Sequence, residues 1–220
     1  MKKMMLMVGV LMMAVLVFGA GSVKWDATQD AAVVTLLKAK DFKGAKALLD
    51  TIDWQGKPDL GKYCWAEFGV KPVISLDDAQ SRVNAIAVQI GVTRKPSIDW
   101  NIMAGCRASK LWADVLKISV KNEDYAAACQ ASVELKDNVA CFTYAKKALL
   151  GKPTTAPQVI EVLANLADMD FSDTTVTKAM QIDFLQSVNA KYSRFLITDK
   201  ATWEPVIANI RTTLEGYGVK

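Results

Sequence analysis

The chain contains no histidine among its 220 residues. This absence excludes a Ser-His-Asp triad, a Cys-His nucleophile and any zinc site with histidine ligands. The sequence also has no CxxC pair, no glycine-rich phosphate loop and no segment that alternates apolar and polar residues over the length of a strand. These absences point away from most hydrolases, nucleotide-binding proteins and thiol oxidoreductases, so we expect no cofactor and no metal.

The sequence also lacks a large excess of either positive or negative charge. The sequence has 27 basic and 23 acidic residues, and no block of basic residues interleaved with aromatic ones. We therefore expect no nucleic-acid partner.

The first 22 residues have the layout of a bacterial-type secretory signal: Lys2 and Lys3, an apolar run from Met4 to Ala20, then small residues. We expect cleavage after Ser22, with a mature chain that is periplasmic or extracellular and makes no stable membrane insertion. The alternative is an uncleaved membrane anchor, for which this run is near the lower limit of length.

Four cysteines in an exported chain favour two disulfides over a metal site or a redox pair. Cys129 and Cys141 lie on two predicted helices joined by the turn residues LKDN, and an antiparallel arrangement would bring their sulfur atoms to the same height. A Cys129–Cys141 bridge leaves Cys64 to pair with Cys106. Four cysteines allow three connectivities, so this pairing is a hypothesis.

Apolar residues recur at helical spacing through most of the chain. Ser75, followed by Asp78, is a predicted N-terminal cap, Ser172 is predicted to introduce a long helix, and Pro205 requires the last helix to start near Thr202. We predict an all-α fold of stacked antiparallel helical hairpins pinned by disulfides.

Two stretches place an aromatic residue and an alanine at the start of the second helix of a pair: Phe42 with Ala45, and Tyr125 with Ala128. In the second stretch Trp112 lies thirteen residues before Tyr125. Over about 60 residues this pattern resembles the tetratricopeptide repeat. The resemblance implies an α-solenoid-like stack whose concave face suits an extended peptide or a partner helix.

A second internal similarity relates IDWQGKPDLGKYCWAEF, residues 52 to 68, to IDWNIMAGCRASKLWADV, residues 98 to 115. Each has one cysteine between Ile-Asp-Trp and Trp-Ala-acid. The similarity is either coincidence or a duplicated helical pair whose cysteines, Cys64 and Cys106, now form a bridge.

Glycine and proline mark breaks at residues 91 to 97 and 151 to 158. We therefore predict a disulfide-pinned helical lobe over residues 23 to 150 and a helical lobe without disulfides over residues 151 to 220, packed together.

Few residues are candidates for chemistry. Glu67 and Asp114 occupy matching places in the internal similarity and could form a carboxylate pair, although solvated helix charges explain them better. Asp77 and Asp78 suit the first turn of a helix better than a calcium site. Trp54 and Trp100, at predicted helix ends, are the candidate ligand-binding residues.

We favour a binding or scaffold protein that recognises a peptide or protein partner over an enzyme. The alternatives are a carboxylate-based hydrolase or lyase and a carrier of an apolar ligand.

Overall fold

The computed structural model describes residues 23–53, 59–151, 154–172 and 174–219. Within these residues the fold is all-helical, as predicted, with eleven α-helices. The exception is a pair of parallel two-residue strands, in which Val23 pairs with Ile52 and Lys24 pairs with Asp53. The predicted signal segment, residues 1–22, lies outside the described residues, and none of the described helices is long and apolar enough to cross a bilayer.

The chain divides into two compact units between Lys110 and Leu111. The position of the predicted lobe boundary, residue 150, lies inside the second unit. The first unit contains β1 (Val23–Lys24), α1 (Ala27–Lys38), α2 (Phe42–Thr51), β2 (Ile52–Asp53), α3 (Leu60–Val70), α4 (Leu76–Gln89) and α5 (Lys95–Ala108).

The second unit begins with three short helices and ends with three longer ones. Its elements are α6 (Trp112–Lys121), α7 (Tyr125–Glu134), α8 (Asn138–Lys146), a π-helical turn (Lys147–Gly151), α9 (Ala156–Ala167), α10 (Lys178–Ser193), a 3₁₀ turn (Arg194–Leu196) and α11 (Lys200–Gly216).

Three hairpin turns share one construction. Lys40, Glu123 and Lys136 each have a positive φ, between 55° and 59°, and each is followed by an aspartate. That aspartate caps the next helix: its carboxylate accepts a hydrogen bond from the backbone N–H three residues on, at 2.9 to 3.1 Å. The left-handed residue reverses the chain and the aspartate satisfies an N–H left open at the helix start.

In the second unit this turn recurs at a thirteen-residue interval. Val115, Ala128 and Cys141 stand thirteen residues apart on α6, α7 and α8, and all three are fully buried. Ser119, Ser132 and Ala145 repeat the pattern four residues later and are also fully buried. Small side chains at both positions allow neighbouring helices to pack closely. The thirteen-residue step between Trp112 and Tyr125, visible in the sequence, is one period of this arrangement.

The core of the second unit combines aliphatic residues with stacked aromatic rings. Trp203 contacts both Tyr192 and Phe195, at ring-centroid distances of 5.1 and 5.0 Å, and those two rings are 6.1 Å from each other. The hydroxyl of the fully buried Tyr192 donates to the carbonyl of Leu149 at 2.9 Å, so its polar end is satisfied.

Helix starts agree with the sequence in one case and differ in two. The hydroxyl of Ser75 accepts from the N–H of Asp78 at 3.1 Å, which confirms the predicted cap. The long helix predicted from Ser172 begins instead at Lys178, capped by Thr177. The last helix begins at Lys200, capped by Asp199, and therefore includes Pro205 in its second turn. The aspartate cap fixes the start of this helix despite the proline.

Candidate functional site

A cleft of about 350 Å³ lies in the second unit. We call it the α9–α11 cleft, because its walls come from α9, α10 and α11, with Phe142 of α8 and Phe171 of the α9–α10 connection. Its lining consists of Phe142, Ile160, Leu163, Ala164, Leu166, Ala167, Phe171, Gln181, Phe184, Leu185, Pro205, Val206, Asn209, Ile210, Thr213 and Tyr217.

The floor of the cleft is part of the apolar core. Phe142, Phe184, Val206 and Ile210 are each at most 3% exposed. Phe142 meets Phe171 and Phe184 edge to face, at centroid distances of 5.9 and 5.4 Å. Such contacts hold the rings in fixed orientations, so the floor is a packed surface.

The start of α9 is fixed by its sequence. Thr155 and Gln158 form a capping box, in which the backbone N–H of Thr155 donates to the Gln158 side-chain oxygen at 3.2 Å. From that start, Leu163 and Ala167 face the cleft, and so does Ile160, which is 51% exposed at the rim.

One border of the cleft is polar. The hydroxyl of Tyr217 donates to the side-chain oxygen of Gln181 at 2.7 Å, and the amide nitrogen of Gln181 donates to the carbonyl of Val176 at 3.4 Å. The ammonium of Lys178 lies 5.5 Å from the centre of the Tyr217 ring. An apolar enclosure with a few convergent polar groups is the usual form of a small-molecule site.

Trp100, a predicted binding residue, is 59% exposed in the first unit. It lines an open groove of about 1000 Å³ together with Trp25, Lys62, Arg94 and Asn101, among others. Trp54, the other predicted binding residue, lies outside the described residues.

The groove that contains Trp100 has a charged wall. Lys62 forms an ion pair with Asp30 and another with Asp59, the latter at 3.0 Å, and its ammonium lies 5.0 Å from the centre of the Trp25 ring. Burial acts to lower the pKa of Lys62, but the hydrogen bonds to the two carboxylates outweigh it and raise that pKa overall. Lys62 is therefore a fixed cation.

The cysteines are all buried. The sulfur atoms of Cys129 and Cys141 are 3.4 Å apart, in van der Waals contact and longer than the ~2.05 Å of a disulfide bond. The hairpin of α7 and α8 also stacks Tyr125 on Tyr144, at 6.3 Å between centroids, so the predicted antiparallel register holds. No disulfide bond joins cysteines in the described part of the chain, and the two predicted bridges remain predictions.

The first unit contains a polar cluster around the buried Tyr63. Its hydroxyl hydrogen-bonds to Asp50 and accepts from the side-chain amide of Gln89 at 3.2 Å, while Lys46 contacts Asp50 at 3.1 Å. Burial and the Asp50 carboxylate raise the pKa of Tyr63, so the phenol stays protonated at neutral pH. A protonated, fully bonded phenol holds helices together and is not a general base.

The two carboxylates considered for catalysis belong to different units, Glu67 to the first and Asp114 to the second. Glu67 pairs with Arg82 at 3.3 Å and lies 3.9 Å from Lys46, so its charge is balanced by cations. Asp78 accepts from the N–H of Ile74 and pairs with Arg82, as expected for a residue at a helix start. Among the described residues, no cluster of three potential metal ligands occurs.

Sequence reasoning missed the α9–α11 cleft. Its floor residues follow ordinary helical stripes, and a stripe that faces a cleft has the same spacing as one that faces a core. The available signal was the pairing along α11 of an apolar stripe, Val206 and Ile210, with a polar one, Asn209 and Thr213. Comparison with protein-family models, curated proteins and solved structures finds no significant match.

Proposed function

We propose that the protein is a binding protein and that the α9–α11 cleft receives a small apolar ligand. The observation that supports this is the combination of a 350 Å³ volume with an apolar lining and a buried, ordered floor. Ligand sites start at about 300 Å³, so the cleft suits a small molecule or part of a larger one. This is the carrier alternative raised by the sequence.

Direct titration with a neutral apolar fluorescent probe, N-phenyl-1-naphthylamine, tests the proposal. We expect saturable binding, and we expect Ala164→Trp to reduce it at least tenfold because the indole fills the cleft. Glu161→Trp is the matched control: it adds the same side chain to the exposed face of the same helix, outside the lining. Equal binding by both variants, or no saturable binding by the wild type, contradicts the proposal.

The second candidate function is the binding of a peptide or protein partner, as predicted from the sequence, and we propose the groove that contains Trp100 as its site. The observation that favours it is a tryptophan 59% exposed beside a charged wall. Exposed tryptophans flanked by charge dominate many protein interfaces. On this proposal the hairpins act as a scaffold in a periplasmic or extracellular setting.

Selection of displayed peptides on the whole protein tests the second candidate. Peptides that bind should lose most of their affinity when Trp100 is changed to Ala, because the indole is a large exposed apolar group in the groove. Trp65→Ala is the matched control, since Trp65 is 55% exposed in the same unit but does not line the groove. If both variants bind alike, the groove is not the peptide site.

We further propose that the Cys129–Cys141 bridge forms when the chain folds in an oxidising compartment. The 3.4 Å sulfur contact requires only a small shift to reach bonding distance. Support for export comes from the first 22 residues of the sequence alone.

A further inference from the structure

The α9–α11 cleft is polar along one border only. Asn209, Thr213 and Tyr217 are spaced by four residues at the C-terminal half of α11 and its cap, beside the apolar stripe of Val206 and Ile210. A ligand that follows the apolar stripe therefore keeps one side, or one end, against hydrogen-bonding groups.

Lys178 lies at the Tyr217 end of this border. Its ammonium is held 5.5 Å from the Tyr217 ring centre, and the Tyr217 hydroxyl is itself fixed on Gln181 at 2.7 Å. The cation, the phenol and the amide are therefore linked through contacts that the structure shows. A polar group of a ligand at this end would meet a positive charge in a defined place.

Two cations lie beside the cleft. The lining itself contains no charged residue. The ammonium of Lys178 lies 5.5 Å from the centre of the Tyr217 ring, and that of Lys146 lies 5.9 Å from the centre of the Phe142 ring. Within the described residues, no carboxylate lies within salt-bridge distance of either ammonium. These lysines are available to an anion.

We propose that the ligand is a small free amphiphile with an apolar body and a single anionic head group, and that Lys178 binds the head group. This inference rests on the proposed ligand-binding function of the cleft. The apolar body lies on Phe184, Val206 and Ile210, and the head group lies at the Lys178–Tyr217 end. When the apolar chain is buried in the cleft, the head group lies close to the Lys178 ammonium. An anionic head group gains a charge-assisted hydrogen bond there, whereas a neutral one gains only an ordinary hydrogen bond.

Displacement of N-phenyl-1-naphthylamine from the whole protein by three ligands of one chain length tests the inference. The ligands are decanoate, 1-decanol and decylammonium, each below its micellar concentration. We expect decanoate to compete about fivefold better than 1-decanol, as for a partly exposed ion pair, and decylammonium to compete worst. The advantage of decanoate should shrink as salt is added, because the pair is open to solvent.

Variants of Lys178 separate charge from shape. Lys178→Met should make decanoate and 1-decanol equal without weakening probe binding, and Lys178→Arg should restore the difference. Lys200→Met, which removes an exposed lysine of α11 outside the lining, should change nothing. The anionic head group is ruled out if decanoate and 1-decanol compete equally in the wild type, or if their ratio is unchanged in Lys178→Met. Either result leaves the cleft as a ligand site. If the probe does not bind at all, the proposed function fails first.

Discussion

Two glycines of the first unit stand where a helix backbone touches an aromatic ring. A Cβ added to Gly69 would overlap the ring of Phe42, and one added to Gly105 would lie 2.6 Å from a ring carbon of Phe68. The helices approach this closely because the glycines have no side chain. These positions are set by packing and not by backbone conformation.

We predict that Gly105→Ala destabilises the protein by about 1–3 kcal/mol after the gain in helix propensity, because the partly buried Phe68 ring must move away from the new Cβ. Gly216→Ala, where a new Cβ meets nothing within 4 Å, is the control and should be neutral or stabilising by up to about 1 kcal/mol. Urea unfolding of both variants measures the effect. A neutral Gly105→Ala would mean that the ring relaxes freely.

Cysteine chemistry at the α7–α8 hairpin gives a second prediction. Protein folded under oxidising conditions should yield a disulfide-linked peptide that contains Cys129 and Cys141, and Cys129→Ser should abolish it. Closing so short a loop should stabilise the protein by about 3 kcal/mol relative to the reduced form. Peptide mapping without reduction and unfolding with and without reductant provide the measurements.

A linked peptide that joins Cys64 to Cys129 would contradict this pairing. The contact between the two thiols and burial raise the pKa of Cys129, and the same contact lowers the pKa of Cys141.

At the scale of elements, the shared hairpin turn makes a prediction that depends on conformation alone. Lys136 has a φ of 58°, a conformation that costs a side-chain-bearing residue about 1–2 kcal/mol and glycine almost nothing. Lys136→Gly should therefore stabilise the protein by about 0.5–1 kcal/mol after the entropic cost of glycine. Glu134→Gly, at the last residue of α7, should destabilise it by up to about 1 kcal/mol.

Thermal unfolding of these two variants gives opposite shifts if the left-handed turn is real. The outcome that contradicts it is a loss of stability in both. Lys136→Ala supplies a further control, since alanine has the same conformational penalty as lysine and should leave the midpoint nearly unchanged.

The sequence predicts most of these helices because their signals are local. Ser75 before Asp78, the apolar stripe of α11 and the polar break before Asn138 each act within one or two turns. Two helix starts were predicted at the wrong residue because a second capping residue lies nearby in the sequence. Thr177 displaced Ser172 as the cap of α10, and Asp199 started α11 early enough to include Pro205.

At the scale of the whole molecule, the candidate site could not be predicted from the sequence. A cleft depends on where three helices leave a gap, and α9, α10 and α11 each show only a normal apolar face. Trp100 was proposed as a surface residue because it was predicted to lie at a helix end; it lies instead in the second turn of α5, and it is exposed. Single conspicuous residues can be read from sequence, while a gap between ordinary ones cannot.

The absence of histidine predicts a broad stability plateau. No side chain has an ordinary pKa between about 5 and 8, so the free energy of unfolding should change little from pH 6 to 8. Above pH 8 the free energy of unfolding depends on buried thiol and phenol groups. Burial raises the pKa of the Cys64 thiol to about 12, and burial also raises the pKa values of Tyr63 and Tyr192.

For each of these groups the folded state retains the proton longer than the unfolded chain does. Their contribution to stability is therefore complete below the unfolded pKa, about 9 for the thiol and 10 for the phenols, and is lost progressively as pH rises through the folded value. With reductant present, unfolding free energies should start to fall near pH 9 and fall more steeply above pH 10. Cys64→Ala should make the slope between pH 9 and 10 shallower, while the part that remains comes from Cys129, whose pKa is also raised. The slope above pH 10 should be kept. If the slope between pH 9 and 10 is the same in Cys64→Ala as in the wild type, the Cys64 thiol does not contribute to it.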